Sequence, residues 1–157
     1  MIRLQRFSDL SLAPSGQWAY RTDPSHGAAD LASLPDGRLL VLERSYSGSR
    51  HNAIYLVNFF GATDTSAILD LDDEPFALVS KTLLWQGYTG ISADFEGISV
   101  GPQLGDGSYS LLLIADNGVG TQQHLHALTV QAPEPATTTL LLSATAILSR
   151  RRNRRPL

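Results

Sequence analysis

Phe95–Asn117, FEGISVGPQLGDGSYSLLLIADN, admits two readings that lead to different folds. Read as G-x-S-x-G over Gly97–Gly101, it marks Ser99 as a nucleophile at the tip of a strand-to-helix turn. That turn needs a helix directly after the serine, whose N-terminus helps to form an oxyanion hole. The residues that follow, Val100-Gly101-Pro102-Gln103-Leu104-Gly105-Asp106-Gly107, cannot open a helix of useful length. Read instead as strand, Asp-Gly turn, strand, the stretch is a β-hairpin with Ser99 in mid-strand. The hairpin reading accounts for every residue, and it makes Ser99 a decoy.

The same pattern occurs earlier, in Ala29–Arg44, ADLASLPDGRLLVLER. Pro35 fixes φ and Gly37 tolerates positive φ, so the Leu34 and Arg38 flanks can close a tight turn. Asp36-Gly37 matches Asp106-Gly107 at an offset of 70 residues, and Glu43-Arg44 is matched to Asp116-Asn117 at 73. Between and around the two copies, short apolar runs alternate with turn residues. The expected strands are Gln17–Arg21, Ala28–Leu34, Arg38–Glu43, Ala53–Asn58, Val79–Trp85, Phe95–Val100, Ser110–Ala115 and Gln123–Val130. Repetition at this scale predicts an all-β chain forming part of a β-propeller, about two to three blades of antiparallel strands, because each blade needs neighbours to cover its faces. Trp18 and Trp85 are expected to fill the spaces between sheets.

Composition narrows the function classes. The chain of 157 residues suits one domain and has no cysteine, which excludes disulfides, thiolate metal sites and a cysteine nucleophile. Its formal charge of −3 conceals an asymmetry, because five of the twelve basic residues are Arg150, Arg151, Arg152, Arg154 and Arg155. Residues 1–132 carry seven basic and fourteen acidic side chains. An acidic body offers no clustered cations to phosphate backbones, so no nucleic acid is expected as a partner.

Three stretches in order, ADLASLPDGRLLVLERSYS, AIYLVNFFGATD and DFEGISVGPQLGDGSYSLLLIADNG, resemble the C-terminal part of the phytase-like β-propeller family, also called "esterase-like activity of phytase". The resemblance covers residues 15–130. It implies an exported bacterial propeller with hydrolase activity, and further blades ahead of residue 15, so that residues 1–14 are expected to be the remainder of missing blades in a truncated chain.

The end of the chain, APEPATTTLLLSATAILSRRRNRRPL, is similar to a PEP-CTERM sorting signal. Pro133, Glu134 and Pro135 form the triplet, residues 136–148 a short hydrophobic helix, and Arg150, Arg151 and Arg152 lead the terminal cluster. The apolar run is shorter than the ~20 residues of a comfortable membrane helix, and its hydroxyls weaken it further. The arginines favour the cytoplasmic side, which leaves the acidic body outside. The resemblance implies an exosortase-type enzyme as partner, a transient anchor in the inner membrane, and a protein of the cell envelope or exterior. Residues 131–157 are therefore set apart from the folded body.

Carboxylates are the candidate chemistry. Glu43, Glu96 and Asp116 follow or open apolar runs, with Arg44 and Asn117 beside two of them. Gathered at a channel mouth they could hold Ca²⁺, which takes six to eight oxygens, and so recruit a phosphorylated small molecule. The plainer alternative pairs Glu43 with Arg44 or Arg50, lets Glu96 cap an amide, and leaves Asp116-Asn117 as a turn. Asp70, Asp72, Asp73 and Glu74 lack the glycine and distal glutamate of an EF-hand and read as a solvated loop. His124 and His126 share a strand face without a third ligand in sequence reach. The function expected is a metal-assisted phosphoester hydrolase of the phytase-like kind. The alternative is a non-catalytic binding module of the envelope or matrix.

Overall fold

Gly37 and Gly107 both take φ of 83°, the left-handed conformation that favours glycine. In the computed structural model, which describes residues 1–45, 51–72, 75–87, 94–115 and 123–133, each closes the turn its sequence predicts. Gly37 donates to the Leu34 carbonyl at 2.9 Å and Leu34 to the Arg38 carbonyl at 2.8 Å; Gly107 and Leu104 make the same pair of bonds at 3.0 and 2.8 Å.

The described residues form nine antiparallel strands: β1 Ile2–Phe7, β2 Pro14–Tyr20, β3 His26–Ser33, β4 Leu39–Ser45, β5 Asn52–Asn58, β6 Ser80–Gly87, β7 Phe95–Gln103, β8 Tyr109–Ala115 and β9 His124–Val130. They are arranged in three sheets, β1-β2, β3-β4-β5-β6 and β7-β8-β9. All eight expected strands are present within a few residues. The ninth, β1, lies in the segment set apart as 1–14 and pairs with β2 from Ile2↔Tyr20 to Arg6↔Gly16. Residues 136–148, expected as a hydrophobic helix, lie outside the described residues.

The hairpins correct the repeat register. Ser33 pairs with Leu39 and Gln103 with Tyr109, while Gly27 pairs with Arg44 and Gly97 with Ile114. An offset of 70 therefore runs the whole length of β4 and β8, because the turn fixes register and a strand cannot gain residues without a bulge. The counterpart of Glu43 is Leu113, and that of Arg44 is Ile114. The 73-residue match to Asp116-Asn117 reflected similar composition, not equivalent position.

Two cores hold the sheets together. Leu4, Tyr20, Val41, Val57 and Val79 fill the seam between the first sheet and the second. Leu34, Leu40, Leu42, Ile54 and Leu56 meet Phe95, Ile98, Leu111, Leu113 and Val130 in the seam between the second and third. Trp18 packs against the first core and Trp85 against the second, as expected. The middle sheet is thus covered on both faces, and its central strands β4 and β5 read as near-continuous apolar runs for that reason. β8 is equally apolar in sequence but alternates in burial: Leu113 is 0% exposed, Leu112 42%.

That difference has a measurable consequence. Leu42→Ala should cost about 2–5 kcal/mol by cavity formation. Leu112→Ala, one repeat on, should fall within about 0.5 kcal/mol of the parent, as expected of a surface substitution. Denaturant melts of the two variants check this, and equal losses would mean that Leu112 is covered.

Candidate functional site

Antiparallel pairing places the two Asp-Gly turns at one end of the second and third sheets. Carboxylates and cations gather at the other end, where His26 pairs with Ser45 and Phe95 with Ala115. There each seam is bridged by charge.

In the first seam Glu43 is 0% exposed. One of its oxygens accepts from Tyr20 Oη and from Lys81 Nζ, both at 2.5 Å, and the other accepts from the Asp23 N–H at 2.8 Å. Lys81 also donates to Asp23 Oδ1 at 2.8 Å, and Tyr55 Oη donates to the other Asp23 oxygen. The Lys81 ammonium stands 4.0 Å from the centre of the Tyr55 ring and 5.2 Å from that of Tyr20, a cation–π arrangement. Strand alternation explains the gathering: Val41 and Glu43 on β4, Tyr55 on β5 and Lys81 on β6 all face the first sheet. Asp23 comes from the β2–β3 turn, where Pro24 and Ser25 (φ 62°) occupy the central positions and His26 N–H donates to Asp23 O at 3.0 Å, a type II pattern.

Burial pushes the Tyr20 hydroxyl far above its ordinary range, and the Glu43 carboxylate it donates to adds to the rise. Tyr55 is raised in the same way by burial and by Asp23. Desolvation pushes Asp23 upward, but hydrogen bonds from Lys81 and Tyr55 outweigh it and hold the carboxyl below its usual value.

In the second seam, one guanidinium nitrogen of Arg44 lies 2.7 Å from both Asp94 Oδ1 and Glu96 Oε1. Two residues of β7, Phe95 and Gly97, pair with the successive residues Ala115 and Ile114 of β8. Glu96 is the extra residue of this β-bulge, a feature that re-aims a side chain. The side chain of Arg44 is 14% exposed, while those of Asp94 and Glu96 are 28% and 46%. Deeper in the seam Asp30 Oδ2 accepts from the Ile98 N–H at 2.8 Å.

The structure therefore splits the candidate set. Arg44 and Glu96 come together, whereas Glu43 points to the opposite face of β4 and takes its cation from Lys81, not from Arg44; Arg50 lies outside the described residues. Asp116 and Asn117 lie outside the described residues, as do Asp73, Glu74, Glu134, Pro135, Arg150, Arg151 and Arg152. Pro133 is described, and its carbonyl accepts from Arg38 at the turn end of the sheets. Asp70 accepts from the Asp72 N–H at 2.9 Å, a local turn. His124 and His126 pair across from Ala115 and Leu113, and the His126 ring lies 5.9 Å from that of Phe95.

Among the described residues no three of His, Asp and Glu are placed to share a metal. Glu43 and Glu96 each face a cation of the chain, and Asp116, the third carboxylate of the expected calcium set, lies outside the described residues. Ser99 is exposed in the middle of β7, with no helix after it.

The sequence reading missed Tyr20, Asp23, Tyr55, Lys81 and Asp94. Lys81 carried a signal: it is the single lysine of the chain, set inside the apolar run Val79–Trp85. A charge there is either on an edge facing water or buried with partners.

No curated protein and no solved structure matches this chain. A family model does: the one described as phytase-like, "Esterase-like activity of phytase", matches residues 1–119. The match begins at Met1 and takes in β1 to β8, both Asp-Gly hairpins and both charged seams, and on that extent the chain belongs to the phytase-like family.

Proposed function

We propose that this chain is part of a phosphoester hydrolase of its family, in which the three sheets serve as blades of a propeller and the second seam carries the chemistry. The observation that supports this is the Arg44–Asp94–Glu96 group: two partly exposed carboxylates and a guanidinium at one end of the sheets. A guanidinium is the natural partner of phosphate oxygens. As Glu96, the most exposed of the three, turns toward solvent, Arg44 can pair with a phosphoryl group, and the released carboxylate can accept a proton from the attacking water while the water oxygen bonds to phosphorus, the ester P–O bond breaks and the alcohol leaves, taking its proton from solvent. Asp94 stays on Arg44 and keeps it oriented. A phosphorylated small molecule is the substrate class.

The proposal extends to location. The PEP-CTERM-like tail supports export, sorting by an exosortase-type enzyme and transient anchoring through residues 136–148. No helix among the described residues is long and apolar enough to cross a membrane. Pro133, the last described residue before the tail, lies at the turn end, where Arg38 donates to its carbonyl.

Release of p-nitrophenol from its phosphate and acetate esters tests the reading. Glu96→Gln and Arg44→Met should each lower phosphomonoester turnover by about 100-fold or more, the scale of a lost acid–base or charge-stabilising group, and Ser99→Ala should leave it unchanged. Activity that follows Ser99 would overturn the assignment. A second reading, a non-catalytic binding module, is favoured by the first seam, where every Glu43 oxygen is already bonded within the chain. Absence of turnover with retained binding to envelope glycans would put that reading first.

A further inference from the structure

Sheet edges expose unpaired backbone groups, and natural proteins protect them with charge, proline, bulges or a covering element. β6, the outer strand of the middle sheet, carries two such devices: Lys81 points inward, and its pairing with β5 is bulged at Ile54/Tyr55. β1 carries Arg3 and Arg6. β9, the outer strand of the third sheet, has neither charge nor proline in His-Leu-His-Ala-Leu-Thr-Val, and its pairing with β8 is regular over all seven residues. By the repeat, β9 corresponds to β5, whose far edge is covered by β6. Among the described residues nothing pairs with the far edge of β9.

We infer that β9 is a pairing edge, and that its occupant is β9 of a second copy of this chain, added antiparallel about a two-fold axis at Ala127. The sequence of the strand is self-complementary in that register. Ala127 opposes Ala127 of the second copy, His126 opposes Leu128, Leu125 opposes Thr129 and His124 opposes Val130. No acidic or basic pair of like sign meets, and one residue of each opposed pair is small or apolar, which suits cross-strand contact. A two-fold contact of identical edges closes on itself and extends the three-stranded sheet to six strands without continuing into a fibre.

A competing association would use the face of the third sheet, where Leu112, Ile114 and Leu125 are 42%, 40% and 65% exposed. Substitutions separate the two. Ala127 is exposed on β9, so Ala127→Lys and Ala127→Glu should leave the fold intact while setting like charges opposite each other. Ile114→Lys alters the face and not the edge.

Light scattering on the full chain in the high-micromolar range should give a dimer for the parent and for Ile114→Lys. It should give monomers for Ala127→Lys and for Ala127→Glu, and a restored dimer when those two are mixed in equal amounts. Circular dichroism confirms that each variant is folded. A monomeric parent, an Ala127→Lys variant that still dimerises, or dissociation by Ile114→Lys alone would each overturn the edge pairing. A parent that dimerises only after residues 134–157 are removed would show that the tail of the same chain occupies the edge.

Discussion

Lys81→Met is expected to destabilise the protein by about 3–5 kcal/mol, the usual result of removing one partner from a buried ion pair. Glu43 is 0% exposed and Lys81 is its only cationic partner within 4 Å among the described residues. Without the ammonium, the carboxylate keeps the Tyr20 hydroxyl and the Asp23 amide but sits as an uncompensated charge between two sheets. Total stabilities of domains are about 5–15 kcal/mol, so a loss of this size should bring the denaturant midpoint down severely. The repeat supplies the control. Leu113 occupies the position of Glu43 in the next sheet and is equally buried, so an apolar side chain suits that site. Glu43→Leu alone should cost less, about 1–3 kcal/mol, for the unsatisfied Tyr20 hydroxyl. The double variant Glu43→Leu/Lys81→Met should recover most of the loss of Lys81→Met, since replacing both members of a buried pair is often neutral or better. A Lys81→Met variant that melts like the parent would show that water reaches Glu43.

Alkaline solution should unfold the protein well before it disturbs an ordinary sheet protein. Tyr20 and Tyr55 are 0% and 8% exposed, and burial together with their carboxylate acceptors raises both hydroxyls. Below about pH 10 a tyrosine is neutral folded or unfolded, and the contribution is fully present. Above it the unfolded chain releases protons that the native state retains, so stability falls as pH rises toward the folded values. The slope is up to about 1.4 kcal/mol per pH unit for each tyrosine. Denaturant melts between pH 9 and 12 should show this loss, with tyrosinate absorbance appearing only on unfolding, and Tyr20→Phe should roughly halve the slope. Tyrosinate formed in the folded protein with no loss of stability would contradict it. Asp23 acts at the opposite extreme: its lowered carboxyl contributes above its unfolded value and is lost as pH falls through the folded one. Its 37% exposure lets solvent screen that effect, so the alkaline limb should be the steeper.

The strands were legible because their signals are local. An Asp-Gly pair demands a turn with positive φ, and the apolar runs on either side can only pair with each other. β1 was missed because Ile2-Arg3-Leu4-Gln5-Arg6-Phe7 alternates correctly but is short and basic, which reads equally well as the start of a chain. The mid-strand position of Ser99 was legible for a related reason: a nucleophile elbow is a local construction, and Gly101-Pro102 leaves no helix after the serine. The site was less legible. Glu43 and Arg44 are neighbours in sequence and point to opposite faces of β4, so any grouping of the two by proximity along the chain was bound to join residues from separate seams.

By itself, then, the sequence determined the all-β class, the hairpins and the strand positions to within a few residues, all of which rest on turn chemistry and alternation within about twenty residues, while the family was legible from the resemblance of three stretches taken in order. Only the tertiary structure decided which apolar strands are covered on both faces, that the repeat runs at 70 residues along β4 and β8, and that Lys81 and Asp23 complete the Glu43 cluster while Asp94 and Glu96 share Arg44. Those pairings join residues 38 to 58 apart in the chain. No local rule reaches that far: strand periodicity says which face a side chain takes, and only the stacking of one sheet on the next says what it meets there.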